Sequence, residues 1–370
     1  MPLPALPALV HRALRAVAWT LCSALLLGGC AGPAPTPPRA LVLPVFPPAP
    51  EEPRFFFERS LYSSADVEKE DRNAALKRML LGGVKAAEGL AKPYGVAAYH
   101  GRIYVSDTGS RTVAVFDIAG QRFFRLGDEG SGQLHMPLGL DVDGAGNVYV
   151  VDNSARVVQV YDGEGHHLRT LAGDGQSLVR PAGIAVDAEG RRVYVVDTGG
   201  IATEQHRVRV FDAQSGQHLQ DIGTRGTGPG EFNLPRDVTI GRDGLLYVVD
   251  GGNFRVQVFQ SDGTFVRTFG GIGRQGGQFS RPKEAATDAQ GNVYIVDSAF
   301  GNFQVFNSEG ALLLSVGGRA ERDGPAKYML PSGIALDGDG RVYVADQYFR
   351  KIDVYRPAAL PATAGFVAPR

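Results

Sequence analysis

The chain has 370 residues, of which 44% are hydrophobic, which is enough for one large β domain or two ordinary domains. Its 38 basic and 39 acidic side chains give a formal net charge of −1, without the basic excess that nucleic-acid-binding proteins usually carry. We therefore expect no nucleic-acid partner. Both cysteines, Cys22 and Cys30, lie near the start of the chain, so no disulfide can stabilise the rest of it.

The first segment is predicted to be a targeting signal. A short basic stretch precedes an uncharged apolar run at 16–27, which is too short to cross a bilayer and has the length of a signal-peptide core. The run ends in Leu27-Gly28-Gly29-Cys30, which resembles a bacterial lipobox. The resemblance implies that residues 1–29 are removed and that Cys30 is lipidated, and Ala31 after it implies an outer-membrane protein that faces the periplasm. An ordinary signal peptide with an incidental cysteine is the alternative.

Residues 30–53 are predicted to form an extended tether behind the lipid. Nine prolines between positions 33 and 53 prevent a packed core and favour polyproline geometry. At about 3.1 Å per residue, such a segment holds a domain up to roughly 70 Å from the membrane.

A sixfold repeat organises the chain from about residue 93 to residue 356. A proline opens each unit, usually as Pro-x-Gly before a short apolar strand, and tight turns then separate further β-rich segments. The second strand of each unit ends in an aspartate: Asp107, Asp152, Asp197, Asp250, Asp297 and Asp346. This period of 45 to 53 residues predicts an all-β fold, a six-bladed β-propeller of four-stranded antiparallel blades. A linear solenoid is the alternative. We expect the aspartates, which recur in every unit, to be structural.

The motifs Pro-x-Gly-Ile-Ala, Tyr-Val-Val-Asp and the segment 253–259 resemble the NHL repeat. The resemblance covers about residues 93 to 355 and implies the fold more than the function, because NHL propellers include RNA-binding, protein-binding and lyase members. The chain most resembles the six-bladed NHL lipoproteins of bacteria, some of which are associated with multihaem cytochrome systems. The chain itself has no Cys-x-x-Cys-His haem motif. We expect a monomeric propeller.

The sixth unit supplies three strands, so a fourth must come from elsewhere. The aromatic-rich segment 54–62 is predicted to be the outer strand of blade six, which closes the ring and makes 54–356 the propeller domain. A helix is predicted from Ala65 to Leu81 with Ser64 as its N-cap. The proline-containing tail 357–370 is predicted to be disordered.

Two blades carry charges where the others carry small residues. In a propeller, the loops before the first strand and between the second and third strands share one face, here called the loop face. Blades four and five open with Pro235-Arg236-Asp237 and Pro282-Lys283-Glu284 instead of Pro-x-Gly. Together with Tyr94 of blade one, these charges predict a recognition patch at the mouth of the central channel. Ion pairs that compensate one another and bind nothing are the alternative.

Further candidates for the loop face are a histidine and four aromatic residues. His206 ends the loop Thr198–His206 of blade three, and this loop contains a five-residue insertion. The aromatic residues are Phe254, Phe300, Tyr348 and Phe349. Exposed together, these rings would anchor a protein partner, and the alternative is that each ring packs against a neighbouring blade.

The sequence favours a binding scaffold over an enzyme. The NHL-like amidating lyases hold zinc with histidines of several blades, and here only His135 and His206 are placed on the loop face, fewer than the three ligands of a catalytic zinc site. The leading hypothesis is an envelope protein that binds a protein partner in a secretion or electron-transfer assembly. One alternative is a hydrolase or lyase at the channel mouth that uses calcium, and another is a carbohydrate- or peptidoglycan-binding module. No cofactor is predicted, and a structural calcium is left open.

Overall fold

A computed structural model describes residues 43–69, 87–172 and 178–366. The lipobox with Cys30 and the tether up to residue 42 lie outside these residues. The predicted all-β fold is confirmed: six antiparallel sheets of at least four strands form a six-bladed β-propeller. Within the described residues, no helix combines the length and the apolar character needed to cross a membrane.

The first five blades each consist of four consecutive strands. Blade one contains Pro93–Tyr99, Arg102–Asp107, Thr112–Asp117 and Arg122–Leu126. Blade two contains Pro137–Val142, Val148–Asp152, Val157–Tyr161 and His167–Leu171. Blade three contains Pro181–Val186, Arg192–Asp197, Arg207–Asp212 and His218–Ile222. Blade four contains Asp237–Ile240, Leu246–Asp250, Arg255–Phe259 and Phe265–Gly270. Blade five contains Pro282–Thr287, Val293–Asp297, Asn302–Phe306 and Leu312–Val316.

Short parallel strand pairs lie in two of the connections between blades. Thr224–Arg225 pairs with Glu231–Phe232 between blades three and four, and Gly318–Arg319 pairs with Lys327–Tyr328 between blades five and six. A short 3-10 turn, Gly251–Asn253, follows the second strand of blade four.

Blade six is assembled from both ends of the domain. Its inner strands are Pro331–Leu336, Val342–Asp346 and Lys351–Pro357. Phe55–Leu61, the strand expected at 54–62, pairs antiparallel with Lys351–Pro357 and brings Phe57 opposite Tyr355. A fifth strand, Val45–Phe46, pairs outside it, in a segment that the sequence analysis placed in the tether. The Phe46 ring packs edge-on against Tyr355 with 6.0 Å between ring centroids, which fixes this part of the segment to the sheet.

The structure also differs from the sequence-based expectation at the predicted helix and at the tail. A 3-10 turn, Ser64–Asp66, begins after Ser63 and not after Ser64, because the Asp66 carboxylate accepts the N–H groups of Tyr62 and Ser63. The rest of the predicted helix, 70–81, lies outside the described residues. The tail is described up to Phe366 and is held to blade six.

A buried arginine of the blade contributes to that contact. The guanidinium of the buried Arg341 donates to the carbonyl of Ala364 at 2.8 Å and lies 4.5 Å from the centroid of the Phe366 ring.

The aspartates at the strand ends hold each blade to its own opening segment. All six are fully buried, and each accepts backbone N–H groups from the residues just before the opening proline. Asp107, for example, accepts from Ala91 at 2.6 Å and from Lys92 at 2.9 Å. The same arrangement recurs at Asp152, Asp197, Asp250, Asp297 and Asp346. The predicted structural role of these carboxylates is confirmed.

Candidate functional site

The third residue of each Pro-x-Gly segment packs against the next blade at the channel axis. A Cβ atom on Gly139 would lie 2.6 Å from the carbonyl oxygen of Ala182, and one on Gly333 would lie 2.6 Å from that of Tyr94. Cβ atoms essentially never approach another atom this closely. The glycine of the motif is therefore a packing requirement, and these positions form a tight ring, here called the glycine ring.

In blades four and five, carboxylates occupy this ring. Asp237 and Glu284 are 6% and 8% exposed, so they lie in the channel wall and are not presented at the mouth as predicted. Oδ2 of Asp237 accepts the N–H of Ala285 at 2.9 Å, and Oε2 of Glu284 accepts the N–H of Ile334 at 3.3 Å. Each carboxylate therefore ties its blade to the first strand of the next blade.

A third carboxylate makes the same bond between blades. Asp141, two residues beyond the ring in blade two, accepts the N–H of Val186 at 2.9 Å. Desolvation raises the pKa of Asp141 to about 6 and that of Asp237 to about 7. Burial, reinforced by the charge of Asp237, raises the pKa of Glu284 well above its usual range. Among the described residues, none of these three carboxylates has an ion-pair partner within 4.0 Å.

The cations of the same two opening segments are less buried than the carboxylates. Arg236 and Lys283 are half-buried, and neither side chain makes a hydrogen bond or an ion pair in the described structure. Burial, together with the nearby charges of Arg236 and Arg281, lowers the pKa of the Lys283 amine to about 8. The predicted alternative, in which the four charges pair with one another, is therefore not what the structure contains.

Two further unpaired cations, which sequence reasoning missed, lie at this mouth. Arg180 and Arg281 directly precede the opening prolines of blades three and five, and both are exposed. Tyr94, across the channel in blade one, is close enough for the charges of Arg236 and Arg180 to act on its phenol, whose pKa burial raises. Arg180, Arg236, Arg281 and Lys283 are called the cationic mouth below. A basic residue before an opening proline is the sequence signal that could have identified two of them.

The predicted aromatic residues differ widely in exposure. Tyr348 is 60% exposed and packs edge-on against the half-buried Phe349, with 5.2 Å between the ring centroids. Phe254 and Phe300 are also half-buried, and Phe254 packs against the core between blades four and five. Tyr348 is therefore the ring of this set that is presented to solvent.

His206 is structural and does not face a ligand. Its side chain is 1% exposed, its Nδ1 accepts the N–H of Leu234 at 3.1 Å, and its Nε2 lies 3.0 Å from the carbonyl oxygen of Gly200. The ring thus ties the inserted loop of blade three to the segment that opens blade four.

The channel itself contains a cavity of about 1050 Å³, lined by the first strands of all six blades. The lining extends to residues of the turns between first and second strands, such as Gly144, Ala188 and Gly241. These turns lie opposite the loop face, on what is called the hairpin face below. Within the described ranges, no cluster of three or more His, Cys, Asp or Glu side chains is arranged to hold a metal ion.

Sequence comparison identifies relatives of two repeats. The model of the NHL repeat family matches residues 178–211 and 232–259. NHL repeat-containing protein 3 of Mus musculus is 39% identical over 82 residues, and the E3 ubiquitin-protein ligase NHLRC1 of Homo sapiens is 34% identical over 95 residues. The matches cover 22% and 26% of this chain and 22% of each relative, so the chain spans about a fifth of their length.

Structural comparison finds propellers of diverse activity. A protein of unknown function from Bacteroides thetaiotaomicron has a TM-score of 0.59 at 17% identity, covering 80% of this chain and 75% of that one. A gluconolactonase from Xanthomonas campestris has a TM-score of 0.54 at 17% identity, with 72% and 86% covered. Hydrazine synthase of Kuenenia stuttgartiensis has a TM-score of 0.53 at 15% identity, with 72% and 84% covered. Identities this low establish a shared fold alone.

Proposed function

Because the chain is an NHL-repeat β-propeller, we propose that it is a binding scaffold that holds a protein partner on its loop face. The cationic mouth carries this proposal. Several other cations of the propeller have carboxylate partners, as in Arg255 with Asp250 at 2.9 Å and Arg341 with Glu58 at 2.9 Å. Four cations without a partner, gathered from three blades around one channel mouth, are complementary to the acidic groups of a partner and would steer its approach.

Two features favour a protein partner over a nucleic acid or a glycan. Tyr348 offers a large exposed ring on the same face, and tyrosine is enriched among the residues that dominate protein interfaces. The net charge of −1 lacks the basic excess that nucleic-acid-binding proteins usually carry. Nothing in the described residues favours the channel-mouth hydrolase or lyase, or the carbohydrate-binding module, over this scaffold.

A charge-reversal capture tests the proposal. The full chain with a C-terminal tag would be used to capture partners from solubilised envelopes, beside an Arg236→Glu/Lys283→Glu variant. The matched control is Arg192→Glu/Arg242→Glu, which makes the same charge change on the hairpin face. We expect a partner that wild type and control retain and the first variant loses. A partner retained equally by all three folded baits, or by none, would overturn the proposal.

We further propose that lipid on Cys30 anchors the scaffold to the outer membrane on its periplasmic side, in a secretion or electron-transfer assembly. The lipobox-like Leu27-Gly28-Gly29-Cys30 after an apolar run supports this placement. Metabolic labelling with a fatty acid should modify the wild type and the Cys22→Ser control, and should fail with Cys30→Ser. Labelling of Cys30→Ser would contradict the anchor.

A further inference from the structure

We propose that the central channel binds a small molecule with a protonated primary amine and an apolar chain, which enters from the hairpin face. This site lies on the opposite side of the glycine ring from the cationic mouth. The inference is therefore independent of the protein-binding function proposed above.

The shape of the cavity suits such a ligand. Its lining is mixed, with polar groups such as Thr239 and Thr287 beside aliphatic residues of the first strands, for example Val96, Leu140, Ile184, Val238, Ile334 and Leu336. Toward the loop face, the lining stops at the level of Gly139, Asp237 and Glu284, and it includes neither Tyr94 nor any residue of the cationic mouth. At the other end it reaches the turns of the hairpin face. A volume of about 1050 Å³ lies at the upper end of the range of small-molecule sites.

Three acidic residues of this cavity lie at or beside the glycine ring. Asp237 and Glu284 occupy the glycine ring, and Asp141 lines the wall close by. Glu284 is only 8% exposed, and its Oε1 is buried without a hydrogen-bond partner. Buried acceptors normally have a partner, because an unsatisfied one loses its hydration without replacement. An unsatisfied carboxylate oxygen at the end of this cavity is therefore a place for a donor.

A cationic donor fits these groups better than a neutral one. Three carboxylates from three blades approach the cavity, and none of them has an ion pair in the described structure. The charge of the Lys283 amine lowers the pKa of Glu284, but the amine makes no hydrogen bond or ion pair with that carboxylate. A primary ammonium has three donors and no acceptor, so it can satisfy several carboxylate oxygens at once. The aliphatic side chains among the lining residues would then contact the attached chain.

Calorimetric titration of the full chain tests the site with simple probes. Hexylammonium chloride, 1-hexanol and sodium hexanoate would be compared at pH 8, above the pKa of about 7 of Asp237. We expect one hexylammonium per chain, bound about tenfold or more tightly than hexanol, as expected for charge-assisted hydrogen bonds. Hexanoate should bind most weakly. Equal affinity for hexylammonium and hexanol would overturn the proposal.

Two variants locate the ammonium. Glu284→Gln and Asp237→Asn should each reduce hexylammonium affinity toward that of hexanol and leave hexanol binding unchanged. Glu309→Gln removes an exposed carboxylate in a turn between strands of blade five, outside the cavity lining, and should change neither affinity. Unchanged hexylammonium binding in both folded channel variants would place the ligand elsewhere.

A chain-length series on the wild type needs no variant. From butyl- to hexylammonium, affinity should rise about fourfold per methylene as each enters the apolar wall. An affinity independent of chain length would mean that the amine binds at the surface, and the channel site would be wrong.

Discussion

Oδ2 of Asp237 accepts a hydrogen bond from the backbone N–H of Ala285, 2.9 Å away in the next blade. The bond holds two blades together at the channel axis, where no cation compensates the carboxylate. Desolvation is the largest influence on this group and raises its pKa to about 7. The ionised form is therefore tolerated in the folded state at a cost, which makes the stability of the ring depend on pH.

The first prediction concerns that dependence. An aspartate in an unfolded chain has a pKa of about 3.9, so between pH 4 and 7 the folded state binds more protons than the unfolded state. Stability should therefore fall as pH rises through this window, by a few kcal/mol for a shift of this size. Asp141, raised to about 6, contributes in the same direction.

Urea unfolding of wild type and Asp237→Asn at pH 5, 6, 7 and 8 measures the effect. The variant keeps an amide acceptor but cannot ionise, so its stability should decline less between pH 5 and 8 than that of the wild type. Parallel profiles for the two proteins would mean that Asp237 titrates as it does in the unfolded chain.

The glycine ring leads to a second prediction. Gly139→Ala would place a Cβ atom 2.6 Å from the carbonyl oxygen of Ala182, which belongs to rigid backbone. We expect a loss of about 1–3 kcal/mol in the free energy of unfolding, as for other overpacked sites. Gly338→Ala is the matched control, because a Cβ atom there meets nothing within 4 Å. Equal denaturation midpoints for the two variants would show that the ring has room to expand.

The blades could be predicted from the sequence because their signals are local. The opening proline and the aspartate at the strand end recur in every unit, and the hydrogen bonds between them, such as Asp107 to Ala91, close within one blade. The direction in which the side chains of Asp237 and Glu284 point could not be predicted in this way. They replace a glycine that packs against a neighbouring blade, and only the assembled ring shows that this position faces the axis.

Other differences arise from long-range contacts. Val45–Phe46 lies among prolines, which usually exclude a strand, but as an edge strand it needs ladder bonds on one side alone. His206 was expected to face a ligand because it ends an inserted loop. The loop instead folds back on blade four, and the ring becomes buried there.

Ring closure gives a third prediction. Phe57 is 6% exposed, and its ring packs edge-on against Tyr355 with 5.7 Å between the centroids, so it joins the start of the domain to its last strand. Phe57→Ala should lower the free energy of unfolding by about 3–5 kcal/mol. Its neighbour Phe56 points to the other side of the strand, where Arg356 covers it at 4.9 Å, and Phe56→Ala should cost much less. Similar losses in thermal or urea unfolding would contradict closure through the buried face.

The fourth prediction concerns the inserted loop of blade three. His206 bonds to both Gly200 in the loop and Leu234 in the next opening segment, so His206→Ala removes both contacts and leaves the partly buried N–H of Leu234 without its partner. We expect a loss of about 1–3 kcal/mol, concentrated in the loop because the blades on either side keep their own hydrogen bonds.

Hydrogen exchange and limited proteolysis separate this local effect from global unfolding. In His206→Ala, amide exchange at Leu234 and cleavage within Thr198–His206 should accelerate, while exchange in the second strand of blade three, Arg192–Asp197, stays close to wild type. His218→Ala is the control, since His218 bonds to Asp221 at 2.7 Å on the outer strand of the same blade, away from the loop. Uniform acceleration across blade three would mean that His206 supports the whole sheet, and unchanged exchange at Leu234 would mean that its bond to the imidazole contributes nothing.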